Sequence, residues 1–193
     1  QQQKYKWLTR NFGSYSYSVI CKLCNIKEEY SDVKEFATYE GGYVIEPRFN
    51  ELKGDVYCLD YASQYPNILF NFGLFSPCID CTENCPYKFV GNDIFKVEGK
   101  YCSKEEGKIE KVLYDLYLQR KKYKDENDMR QHALKVVINS CYGITAKPVF
   151  KNLYYPHRAA DCCYLGRQQL QYADYYFTSR GYIVAYGDTD SLY

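Results

Sequence analysis

The sequence predicts an α+β fold in which a helical hairpin is inserted between strand-bearing segments. Three observations carry that expectation. The runs DVYCLDY (55–61) and YIVAY (182–186) are apolar, rich in β-formers and of strand length. Between them lie two stretches, about 104–125 and 128–145, with apolar residues at helical spacing. A third helical stretch, about 157–179, stops before Gly181.

Each element follows in order. Residues 1–40 alternate Tyr and Ser at 14–18 and then turn charged, so they form an N-terminal segment of uncertain fold. In DVYCLDY, Asp60 falls near the C-terminal end of the expected strand. SQYPNILFNFG then reads as a short helix: Ser63 can cap it, Pro66 fits its first turn and Gly73 closes it. Residues 76–103, rich in Cys, Gly, Asn and Pro, read as loop with a hairpin at 87–97. The next helix repeats Ile109, Val112, Leu113, Leu116, Tyr117 and Leu118, and its partner Ala133, Leu134, Val137, Ile138 and Cys141. The polar tetrad Asp125-Glu126-Asn127-Asp128 between them is a tight turn, which makes the pair antiparallel.

Composition bounds the function. With 193 residues, 46% of them hydrophobic, the chain can bury a core. A formal charge of +1 gives no global field to gather nucleic acid or anionic membrane, so any basic site is local. No apolar run reaches the length of a membrane span. The start QQQKYKWLTR has no signal-peptide pattern and no initiator Met, which suggests a piece of a longer protein. The expected setting is intracellular and reducing, with free thiols. Among the ten cysteines, Cys21 and Cys24 form one CxxC, and Cys78, Cys81 and Cys85 form a second group. CxxC is half of a zinc site, so these five are candidate zinc ligands. No fourth ligand adjoins either group, and reduced surface or core thiols rank ahead of zinc.

Two charge clusters carry chemistry. Asp60 ends one strand, and Asp188 and Asp190 sit on the turn after another. If those strands are neighbours, three carboxylates meet at one sheet edge, which suits a hard cation such as Mg²⁺. The competing reading is an ordinary Asp-rich hairpin turn. In the helical hairpin, Lys135, Asn139 and Tyr142 are spaced to share one face, and Arg120 and Lys124 are four apart on the facing helix. Arg120 and Lys135 are equidistant from the turn, so they stand level. Converging cations suit an anion, and the arginine fork suits phosphate. The competing reading is a solvated basic face.

These residues sit in recognisable motifs. DYASQYP (60–66) resembles motif A of the family B DNA polymerases, KVVINSCYG (135–143) their motif B and YGDTDS (186–191) their motif C. RKKYK (120–124) is similar to their first fingers helix and YEGGYVIEP (39–47) to the segment entering the palm. The likeness covers about 39–193 with every motif in order. One departure is Gln64, where the family usually has Leu, with an expected effect on packing or on 5′-side phosphate contacts.

The resemblance implies an incomplete polymerase palm, an antiparallel sheet plus helices, with an inserted fingers hairpin. It divides the chain into 1–40, a first palm part at 41–103, fingers at 104–146 and a second palm part at 147–193. It implies template-directed transfer of a deoxynucleotide from dNTP to a primer 3′-hydroxyl with release of pyrophosphate. Two Mg²⁺ ions, for which Mn²⁺ can substitute, would be held by Asp60 and Asp190 with Asp188 in support. Arg120, Lys124 and Lys135 would grip the triphosphate, with Asn139 on the same face. Ser63 and Gln64 would offer backbone N–H groups, Tyr65 would lie under the deoxyribose and exclude a 2′-hydroxyl, and Tyr142 would pack on the nascent base pair. Partners would be primer–template DNA, dNTPs and the exonuclease and thumb regions of a longer parent, with no membrane. Such a fragment is expected to be inactive alone, and a viral, plasmid or cellular source fits, with a viral or other mobile element preferred. The alternatives are a catalytically inactive nucleic-acid- or zinc-binding remnant and an RNA-directed or RNA-making polymerase.

Overall fold

The computed structural model describes residues 11–33, 35, 37–75, 88–90, 100–102 and 107–193. Cys78, Cys81 and Cys85 lie outside the described residues.

The chain opens with a helix that the sequence left unassigned, α1 (Phe12–Cys24). Its ends are well closed. The Asn11 side chain accepts from the Ser14 amide at 2.9 Å, and Asn25 turns left-handed while the Ile26 amide reaches back to the Cys21 carbonyl. Tyr17, Ile20, Cys21 and Cys24 fall on one stripe of that helix and are buried. Strand β1 (Val44–Ile45) and strand β2 (Leu59–Asp60) follow, then α2 (Gln64–Asn71). Gly73, with φ 61°, turns the chain after α2. Strands β3 (Lys88–Val90) and β4 (Lys100–Cys102) pair antiparallel, with Phe89 opposite Tyr101. The hairpin therefore extends past the expected 87–97, and its second strand begins at 100.

Helices α3 (Lys108–Asp125) and α4 (Arg130–Thr145) pack on each other across a short turn in which Asn127 is left-handed. The apolar repeat of α4 buries Val137, Ile138, Cys141 and Ile144. In α3, Leu113 and Glu110 are buried, and Ile109, Val112 and Leu116 pack half-buried against the same core. A 3₁₀ turn (Lys151–Leu153) leads to α5 (Pro156–Thr178), started by Pro156 in its first turn. Helices α1, α2, α3, α4 and α5 surround one core that includes Tyr17, Leu69, Leu113, Cys141 and Leu165. The far end of α5 backs the sheet, where Leu170 meets Ile45, Val184 and Leu192.

That sheet has the order β1-β5-β6-β2, where β5 is Gly187–Asp188 and β6 is Ser191–Leu192, and every pair is antiparallel. Neither apolar run forms a strand along its length. YIVAY is not a strand: Tyr182 and Ile183 are exposed, and pairing begins where the Ala185 amide donates to the Tyr193 carbonyl. In DVYCLDY, Leu59 and Asp60 pair with β6 while 55–58 stay exposed. β-propensity needs a partner strand to act on, and β2 lies at the sheet edge against a two-residue neighbour.

Candidate active site

The register of the sheet gathers the carboxylates. Asp188 is opposite Ser191, and Ser191 is opposite Asp60, so the three form one row across neighbouring strands. At the usual strand spacing the row is about 10 Å long. Asp190 sits on the turn between β5 and β6, and its carbonyl accepts from the Tyr61 amide at 2.8 Å. That bond ties the turn to the end of β2. Thr189 beside it has φ 53°, an unfavourable conformation for a β-branched residue. It is held there by its amide donating to the Tyr43 carbonyl at 2.8 Å and its hydroxyl donating to the Asp188 carboxylate at 2.8 Å. Gly42 makes this approach feasible, since a Cβ at that position would stand 2.7 Å from the Thr189 hydroxyl.

Burial raises the Asp190 carboxyl above its ordinary range, and the nearby charges of Asp60 and then Asp188 push it the same way. Asp188 is turned to other partners: besides Thr189, the Tyr186 hydroxyl donates to its carboxylate at 3.4 Å.

Facing the carboxylates is the helical hairpin. Asp60 and Asp190 share one cleft, about 520 Å³ in volume, with Ser63, Arg120, Lys124, Lys135 and Asn139. Arg120 and Lys135, expected to stand level, both line this cleft. Ser63 does not cap α2. Its backbone is left-handed, with φ 52°, and makes no side-chain cap bond; its hydroxyl instead accepts from Arg120 Nη1 at 2.9 Å.

The remaining site candidates lie away from the cleft wall. Tyr142 was expected on the face of Lys135 and Asn139, but it packs inward against Tyr65 with ring centroids 4.7 Å apart. Its hydroxyl meets those of Tyr39 at 3.1 Å and the thiol of Cys163 at 3.0 Å. Gln64 is buried and donates to the Gly166 carbonyl at 3.3 Å, so its side chain belongs to α5 packing. Cys21 and Cys24 are buried in the apolar core as free thiols, and burial pushes Cys24 up to about 11. Those surroundings favour the thiol over the thiolate that zinc requires.

Several contributors escaped the sequence reading. Lys121, Asp125 and Tyr117 also line the cleft. Asn67 holds the strand-to-helix turn, donating to the carbonyls of Ala62 at 2.7 Å and Ser63 at 3.1 Å. Arg167 donates to the carbonyls of Glu40 and Gly41, both at 2.7 Å, and so fixes the loop that carries Gly42. Lys121 and Asp125 were legible as neighbours of Arg120 and Lys124. Asn67 and Arg167 act across elements and left no local pattern.

The donor set fits two kinds of ligand. Paired carboxylates whose charges disfavour each other suit a divalent cation. Buried Arg120 Nε has no hydrogen-bond partner, and with Lys124 and Lys135 it suits a polyanion. Among the described residues no three His, Cys, Asp or Glu side chains form a metal-binding cluster, so water or a ligand would have to complete a cation's shell.

The model of DNA polymerase family B matches residues 9–193. The chain belongs to that family. It is 33% identical to DNA polymerase 1 of Sulfurisphaera ohwakuensis, over 80% of this chain and 19% of that protein. It is 29% identical to the DNA polymerase of Archaeoglobus fulgidus, over 81% of this chain and 21% of that protein. The family B fold is also that of the DNA polymerase from Pyrobaculum calidifontis, matched with a TM-score of 0.69 at 24% identity over 95% of this chain and 26% of that one. This family B chain spans about a fifth of the length of these two curated relatives. No described helix is long and apolar enough to cross a membrane.

Proposed function

We propose that this chain is the nucleotidyl-transfer segment of a DNA-directed DNA polymerase, adding deoxynucleotides from dNTPs to a primer 3′-hydroxyl on a DNA template. The observation that carries the reading is the single cleft in which Asp60 and Asp190 face Arg120, Lys124, Lys135 and Asn139. One wall offers negative charge for cations, and the other offers positive charge for a triphosphate. Membership of family B supports the same assignment.

In this reading the sheet with α2 and α5 is the palm, and the α3–α4 pair is the fingers. Asp60 and Asp190 would hold two Mg²⁺ ions, for which Mn²⁺ could substitute, with Asp188 in support from β5. The ions, when bound, supply a more acidic primer 3′-hydroxyl and charge neutralisation at the triphosphate. Arg120 presents its free Nε and fork to phosphate oxygens while Ser63 fixes its far side. Lys124 and Lys135 neutralise the remaining phosphate charge, and Asn139 orients it. The amides of Ser63 and Gln64, at the start of α2, add donors for the same anion. Tyr65 borders the sugar and crowds a 2′-hydroxyl, and the Tyr142 ring backs it from the core side. Base choice comes from template pairing in a closed pocket, since four substrates must be accepted.

The test is Mg²⁺-dependent primer extension by a full-length family B polymerase carrying residues 1–193, beside its Asp60→Ala variant. Extension with dNTPs that disappears in the variant supports the reading. Equal extension by the two removes the carboxylate site from the chemistry.

A further inference from the structure

Helix α5 carries two residues three positions apart, Cys163 and Gly166, that the chemistry above does not use. Both touch the tyrosine pair. Gly166 is buried in the middle of a 23-residue helix, where glycine is a poor helix former. Its bareness serves packing instead. An added Cβ would stand 3.0 Å from Cε1 of Tyr65 and 3.2 Å from Oε1 of Gln64. Neither neighbour can give way without shifting a partner. Gln64 is buried and bonded to the Gly166 carbonyl, and the Tyr65 ring is backed by Tyr142 at 4.7 Å.

Cys163 locates the far end of the same ring. Its thiol donates to the Tyr65 hydroxyl at 3.9 Å and is paired with the Tyr142 hydroxyl at 3.0 Å. The neighbouring Cys162 thiol donates to the Tyr65 carbonyl at 3.8 Å, so backbone and side chain of Tyr65 are both held by α5. Residues at i and i+3 share a helix face, which makes Cys163 and Gly166 one continuous seat.

We propose that this face of α5 sets the position of Tyr65 and thereby the sugar specificity of the nucleotide pocket, with Gly166 as its principal positioning residue. The inference rests on the reading of Tyr65 as the residue that borders the sugar. A methyl at 166 drives the ring away from α5 and narrows the space that it borders. Loss of the thiol at 163 removes a contact at the hydroxyl and lets the ring withdraw.

Incorporation of a dNTP and of the matching ribonucleotide would be measured in a full-length family B polymerase carrying residues 1–193. The variants are Gly166→Ala, Cys163→Ala and Tyr65→Ala. Gly166→Ala is expected to raise KM for the dNTP about fivefold with kcat within about twofold. It should also raise the ratio of kcat/KM for dNTP over ribonucleotide at least about threefold, and Cys163→Ala should lower that ratio by a similar factor. A purely structural role for α5 would lower activity toward both sugars alike. If Tyr65→Ala leaves the ratio unchanged, the sugar-bordering reading fails and this proposal with it. If Tyr65→Ala relaxes the ratio but neither α5 variant moves it in its stated direction, the proposal alone is overturned. Should Gly166→Ala fail to fold, Cys163→Ala decides the matter by itself.

Discussion

Among the described residues, four other than glycine take left-handed backbone, and they divide by place. Asn25 and Asn127 do so at helix ends, where asparagine is at ease, while Ser63 and Thr189 do so beside the cleft. Unfavourable backbone at a turn that presents a carboxylate is held by surrounding bonds, here those of Thr189 to Tyr43 and Asp188. The motif residues Asp60, Arg120, Lys124, Lys135, Asn139 and Asp190 were legible because each stands at a fixed offset within one element. Ser63 was misread because serine is a common N-cap, and only the left-handed backbone shows that its hydroxyl goes to Arg120. Arg120→Ala should raise KM for dNTPs about 10- to 100-fold with less effect on a short primer's binding, since a charge-assisted bond is worth about 2 kcal/mol. Steady-state kinetics on both substrates would check it. A second, simpler check concerns Glu29, whose carboxyl is held down to about 2 by Lys27 and then Lys151. Its folded pKa lies below the unfolded one, so the stability it lends is present above the usual carboxylate range and lost as pH falls toward 2. NMR titration should find that low midpoint, and added salt should raise it because the pair is exposed.

Among elements, the helical hairpin was the most legible part of the fold and the sheet the least. The repeats of α3 and α4 are local, and their ends match the expected ones within a few residues. The strands were overestimated because their pairing partners cover only two residues each. Helix α1 was missed because serines and cysteines fill positions that a simpler pattern would give to leucine. Its cysteines furnish a direct prediction. Iodoacetamide at neutral pH should label exposed Cys58 quickly and leave Cys21, Cys24, Cys141, Cys162 and Cys163 unmodified until denaturant is added. Peptide mapping would show it, and rapid labelling of Cys21 or Cys24 would contradict their core placement. Leu113 is fully buried at the α3 contact with the core, so Leu113→Ala should destabilise the fold by about 2–5 kcal/mol in denaturant titration. Gly42→Ala forces the Thr189 turn to move and should weaken extension in a full-length polymerase more than about tenfold while leaving the helical core intact by circular dichroism.

On the scale of the whole molecule, α5 is the member that makes one structure of two cores. Leu165 lies in the helical core and Leu170 in the sheet core, so the helix fixes the cation-bearing hairpin relative to the carboxylate-bearing sheet. That relation was not legible, because it depends on how elements pack and not on the residues within any of them. The order of the three motifs, by contrast, was enough to place both walls of the cleft in one family. The chain spans about a fifth of the length of the two polymerases named above, and β2 has no partner on its outer edge among the described residues. The most direct test of the central claim is Mg²⁺-dependent extension of a DNA primer by the full-length polymerase carrying this segment, compared with Asp190→Ala. The account predicts dNTP extension by the parent and its loss in the variant with folding preserved. Undiminished extension by Asp190→Ala would contradict the cleft as the site of nucleotidyl transfer.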